Sequence, residues 1–127
     1  MILTEIDHVA IAVRDLEAAI KYYQDAFGAT VDHREVVESD GVEEALLKVA
    51  ESYVQLLTPT NPDSPVAKAI EKRGEGLHHI GYRVNNFSNL SRETRTSSSK
   101  LEKSFLNLNG SFLTFLDIAK CVLYICF

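Results

Sequence analysis

The chain has 127 residues, 46% of them hydrophobic and 24% charged, with a formal net charge of −5. This length suits one domain with a real core, and the composition is that of an ordinary soluble globular protein. The acidic balance argues against nucleic-acid binding, and no apolar run reaches bilayer length or follows a basic start, so a cytoplasmic protein without a membrane partner is expected.

His8–Val13 is a short apolar run and reads as a buried strand. Asp15 has the character of an N-cap, and Leu16, Ala19, Ile20, Tyr23 and Phe27 follow at helical spacing until Gly28 stops the helix. Thr30–Val37 reads as a second strand, with a turn at Ser39-Asp40-Gly41. Glu43–Ala50 and Tyr53–Leu57 read as two further strands joined by a tight turn near Glu51-Ser52. After a Pro-containing link, Ser64-Pro65 predicts the start of a short helix to about Arg73, closed by Gly74, before a strand carrying His79.

Beyond Val84 the composition changes. The remainder holds one alanine, Ala119, and three acids, Glu93, Glu102 and Asp117, and is rich in Ser, Asn, Leu and Phe. Such a shift usually marks a boundary, but the piece is too short for a separate domain. A helix copying the first half belongs near 86–99, where serine and threonine oppose it; Lys100–Leu108 is an alternative helix. Phe112–Leu116 and Cys121–Phe127 are apolar enough for strands. Cys121 and Cys126 are the only cysteines, and without a second Cys or His pair they read as reduced thiols.

Two stretches repeat one pattern: I-D-H-V-A-I-A-V from residue 6 and L-H-H-I-G-Y-R-V from residue 77. A single histidine at a strand start is usually structural. A second at the matching point of a repeat gives His8 and His79 equal standing as a ligand pair, with His78 on the opposite strand face. Gln55 sits in an apolar strand and needs a partner, either a backbone group or a metal at its amide oxygen. Of Glu43 and Glu44, one faces in and could act as a general base; alternation alone leaves open which.

The stretches I-D-H-V-A-I-A-V-R-D-L-E-A-A-I-K-Y-Y, H-R-E-V, G-V-E-E-A-L-L, Y-V-Q-L-L-T-P, D-S-P-V-A-K and G-L-H-H-I-G-Y-R-V resemble the methylmalonyl-CoA epimerase family. That family belongs to the vicinal oxygen chelate superfamily, with glyoxalase I and extradiol dioxygenases. The resemblance covers residues 4–84. It implies an α+β fold of paired βαβββ modules, about 1–75 and 76–127 of one domain, whose sheets curl around a metal site. His8, Gln55 and His79 match metal ligands, and Glu44 matches a catalytic base. The implied cofactor is a divalent cation, Co²⁺ first, with Mn²⁺, Ni²⁺ or Zn²⁺ as alternatives. The implied partners are an acyl-CoA thioester and a second copy of the chain. The implied reaction is epimerisation of methylmalonyl-CoA by removal and return of its α-proton.

The family's fourth ligand is a glutamate on the last strand. The nearest stretch here, V-L-Y-I-C over 122–126, puts Ile125 in its place, and the family's glycine-rich stretch and H-P-K motif are absent. A competing expectation is therefore a non-catalytic member of the fold, or one with a frameshifted or spliced end and a defective metal site. Another lyase or dioxygenase activity of the superfamily is a third expectation, and it too requires the missing carboxylate.

Overall fold

A computed structural model describes residues 3–84, 104–108, 112–117 and 122–127. They fall into two units, His8–His78 and a second made of Met1–Asp7 with His79–Phe127. In chain order the elements are β1 (Leu3–Ala12), α1 (Leu16–Phe27), β2 (Val31–Val37), β3 (Val42–Val49), β4 (Ser52–Pro59), α2 (Pro65–Arg73), β5 (Gly76–Val84), β6 (Ser104–Leu108), β7 (Phe112–Asp117) and β8 (Val122–Cys126). The expected α+β class is observed. The helix expected over 86–99 lies outside the described residues. The alternative helix over 100–108 is corrected: Ser104–Leu108 is a strand, paired antiparallel with β7 from Ser104–Leu116 to Leu108–Phe112. Regular pairing supplies the backbone partners that a helix would otherwise have given this segment.

In the unit His8–His78 the strand order is β2-β3-β4-β1. Helix α1 begins where Asp15, in extended conformation, accepts a hydrogen bond from the Ala18 N–H at 2.9 Å. It ends where Gly28 turns left-handed at φ 65° and donates its N–H to the Gln24 carbonyl. This crossover lets β1 pair with β4 in parallel, with Ala10 opposite Gln55 and Ala12 opposite Leu57. Strands β2, β3 and β4 form an antiparallel meander.

Alternation then divides the apolar residues between the two sheet faces. Ala45, Leu47 and Leu56 pack with Leu16 and Ile20 of α1 on one face. Ala10, Ala12, Val42 and Leu57 pack with Val66 and Ile70 of α2 on the other. Helix α2 is capped by the buried Ser64, whose Oγ accepts from the Ala67 N–H at 3.1 Å, with Pro65 in the first turn. It covers one end of its sheet face.

In the second unit, strands run β5-β8-β7-β6, all antiparallel. The start of β1 is tied to the end of β5 by Arg83. Its Nε donates to Asp7 at 2.7 Å and its Nη1 to Glu5 at 2.7 Å, while Thr4 Oγ1 donates to the Arg83 carbonyl at 3.2 Å. These carboxylates, Asp7 above all, raise the guanidinium pKa further above its ordinary value. Among the described residues no helix is long and apolar enough to cross a membrane.

Candidate functional site

The α2-bearing face of the first unit carries His8, Ala10 and Ala12 on β1, Tyr53, Gln55 and Leu57 on β4, and Glu44, Leu46 and Lys48 on β3. Helix α2 covers Ala10, Ala12, Val42 and Leu57. His8 is 6% exposed, one of two buried polar side chains among the described residues, the other being Ser64. It stands opposite Tyr53, diagonal to Gln55. The Tyr53 hydroxyl accepts from Lys48 Nζ at 3.2 Å and donates to Asp32 at 3.2 Å, and the ammonium lies 4.5 Å from the ring centroid.

Leu46 pairs with Gln55 and Glu44 with Leu57, so Glu44 is diagonal to Gln55 on the same face. Gln55 Nε2 donates to Glu44 Oε2 at 2.5 Å. Gln55 Oε1 is buried and has no hydrogen-bond partner among the described residues. Glu43 points the other way. Arg34 grips its carboxylate at 2.8 Å and also reaches Glu17 of α1 at 2.6 Å. The choice that alternation left open is thereby made by geometry: Glu44, not Glu43, shares a face with Gln55.

His79 lies on β5, in the other unit. Its register partner on β8 is Cys126, and its ring meets Tyr124 edge-on with centroids 5.3 Å apart. Ile125, the residue aligned with the family's glutamate, pairs instead with Ile80. His78 alternates to the opposite side of β5. Its burial, aided by the charge of Arg73, lowers its pKa and favours neutral imidazole.

Among the described residues no group of three His, Cys, Asp or Glu side chains is placed to hold a metal. An amide oxygen can also bind a cation, and Gln55 carries the strongest sign of a missing partner. A buried carbonyl oxygen without a hydrogen bond is costly, whereas bonding to a cation would satisfy it. Imidazole and amide oxygen together suit a borderline divalent cation, so the residues present fit one. Sequence reasoning singled out each of these side chains but missed the Glu44–Gln55 bond, whose signal was the hairpin register.

A βαβββ unit with imidazole, amide and carboxylate on one sheet face defines a chelate-type α+β module. The chain belongs to the Glyoxalase/Bleomycin resistance protein/Dioxygenase superfamily, whose family model matches residues 7–104. It is 36% identical to the human mitochondrial methylmalonyl-CoA epimerase over 68% of this chain and 49% of that protein. It is 39% identical to the ethylmalonyl-CoA/methylmalonyl-CoA epimerase of Cereibacter sphaeroides over 62% of this chain and 60% of that one. The chain thus spans about half to three fifths of these curated relatives.

A variant of Streptomyces coelicolor methylmalonyl-CoA epimerase, in complex with 2-nitronate-propionyl-CoA, superposes with TM-score 0.66 and 41% identity over 72% of this chain and 69% of that chain. Another variant of the same enzyme matches with TM-score 0.68 and 32% identity over 94% of this chain and 90% of that chain.

Proposed function

We propose that the chain epimerises a methylmalonyl-CoA-like thioester by removing and returning its α-proton. The observation that carries this reading is the Glu44–Gln55 pair: a carboxylate fixed beside a buried amide oxygen that lacks a partner. The bound ligand of the Streptomyces relative, a propionyl-CoA derivative, supports an acyl-CoA thioester as the ligand class.

The substrate's C–H lies between a thioester carbonyl and a carboxylate, so its removal places negative charge on an enolate oxygen. In this proposal Glu44 accepts that proton. His8 and Gln55, with His79 as the third ligand the resemblance implies, would hold a divalent cation. When bound, the cation supplies Lewis-acid stabilisation of the developing charge. Co²⁺ is the first candidate, and Mn²⁺, Ni²⁺ and Zn²⁺ share the same donor preferences. His8 and Gln55 sit on paired strands, so their separation is set by the backbone and water is largely excluded around the imidazole. A homodimer belongs to the same proposal and is checked by light scattering.

A one-base outcome is a second reading, favoured by Ile125, which pairs with Ile80 and stands where the resemblance calls for a carboxylate. Incubation with Co²⁺ and (2S)- or (2R)-methylmalonyl-CoA in deuterated water separates the two. Inversion with deuterium uptake supports epimerisation, and uptake without inversion supports a single working base. Absence of both, with no bound metal, rejects catalysis.

A further inference from the structure

We infer that Glu44 is also the positioning residue for Gln55: its carboxylate fixes which way the amide faces and so presents Oε1 as an acceptor. This inference rests on the site proposed above and gives one of its residues a second task.

An amide has one accepting and one donating end, and a half-turn about its last bond exchanges them. Facing a carboxylate, only the donating end makes a favourable contact; the flipped amide sets oxygen against oxygen. Glu44 Oε2 lies 2.5 Å from Gln55 Nε2, which selects one orientation. The accepting end is then the buried atom that has no partner among the described residues. The contact is built into the sheet: pairing of Leu46 with Gln55 and of Glu44 with Leu57 makes the two side chains diagonal neighbours on one face.

The two tasks are compatible because a carboxylate has two oxygens. A proton carried on Glu44 Oε1 leaves Oε2 as a carbonyl-type acceptor, so Gln55 stays oriented before and after proton transfer. The carboxylate that moves the proton thereby also keeps the amide oxygen turned towards its ligand.

The test uses the full chain and Co²⁺ alone. In the metal-free protein, one Gln55 side-chain amide proton, assigned by its loss in Gln55→Leu, should appear downfield and exchange slowly. Glu44→Ala should return it to an ordinary amide position, with retained spectral dispersion showing that the fold is intact. Calorimetric Co²⁺ titrations then compare Glu44→Gln with Glu44→Ala. Both lack the charge, but only the first retains an acceptor. Glu44→Gln should bind about fivefold more tightly, the factor one hydrogen bond supplies, and the difference should vanish in a Gln55→Leu background.

An unshifted amide in the wild-type chain overturns the inference. So do equal affinities of the two variants, or a difference that survives without Gln55. A shifted amide that depends on Glu44, in a chain that binds no Co²⁺, supports the positioning role and rejects the metal reading instead.

Discussion

His79 and Cys126 are register partners across β5 and β8, one step out of phase with the pair Ile80 and Ile125. The resemblance puts Ile125 in the place of the family's last-strand carboxylate, but pairing puts position 126 beside the histidine. Directly opposed residues share a face with Cβ atoms about 5 Å apart, well within reach of a glutamate side chain. A carboxylate restored by Cys126→Glu is therefore expected to tighten Co²⁺ binding at least tenfold, or about 1.4 kcal/mol. Ile125→Glu should give no such gain. Titration calorimetry on the two variants checks this, and equal gains would reject the register argument.

Gln55 offers a contrast between stability and binding. Gln55→Leu removes the hydrogen bond to Glu44 but also removes the buried, unpartnered Oε1. Each effect is worth about 1–2 kcal/mol with opposite sign, so metal-free stability should change by less than about 1 kcal/mol. Co²⁺ affinity should fall at least tenfold. Urea unfolding and metal titration measure the two quantities. A purely structural glutamine would show the reverse pattern, with a large stability loss and unchanged metal binding.

Much of this arrangement was legible in the sequence because it depends on local chemistry. Asp15, Gly28, Ser64-Pro65 and Gly74 delimit both described helices, and apolar alternation marks β3 and β4. The contact between Glu44 and Gln55 was not legible, because it depends on the hairpin register. A turn placed near Glu51-Ser52 would pair Gln55 two residues further along β3 and separate it from Glu44. The observed loop is Ala50-Glu51, closed by Val49 opposite Ser52. It carries Ala50 at φ 50°, where the sequence offers no glycine or asparagine to announce a left-handed residue. In the second unit, β6 was obscured for a related reason: Leu and Phe suit a helix or a strand, and the pairing with β7 decides.

That loop makes a prediction of its own. A left-handed alanine costs about 1–2 kcal/mol, and glycine at the same position returns some of the gain, about 0.5–1 kcal/mol, through the greater freedom of the unfolded chain. Ala50→Gly should therefore stabilise the protein by about 0.5–1 kcal/mol. Because the strand register is unchanged, the Gln55 amide signal should stay where it is. Thermal unfolding and the amide spectrum test both statements, and a destabilised variant would show that this turn does not strain the hairpin.

Gly41 links the β2–β3 turn to the cap of α2. It is left-handed at φ 64°, its carbonyl accepts from the Thr60 N–H at 2.8 Å, and a Cβ there would meet the Asn61 amide and come within 3.0 Å of Ser64 Cβ. Gly28 has nearly the same φ, 65°, but a Cβ there meets nothing within 4 Å. Both alanine substitutions carry the left-handed penalty of about 1–2 kcal/mol. Only Gly41→Ala also pushes on Ser64, whose hydroxyl holds the first turn of α2, and a lost cap adds about 1 kcal/mol. Gly41→Ala should therefore be the more destabilising by about 1 kcal/mol or more in urea unfolding. Since α2 packs on Ala10, the register partner of Gln55, Gly41→Ala should also weaken Co²⁺ binding, while Gly28→Ala leaves it unchanged. Equal losses for the two variants would mean that the turn can relax without disturbing the cap.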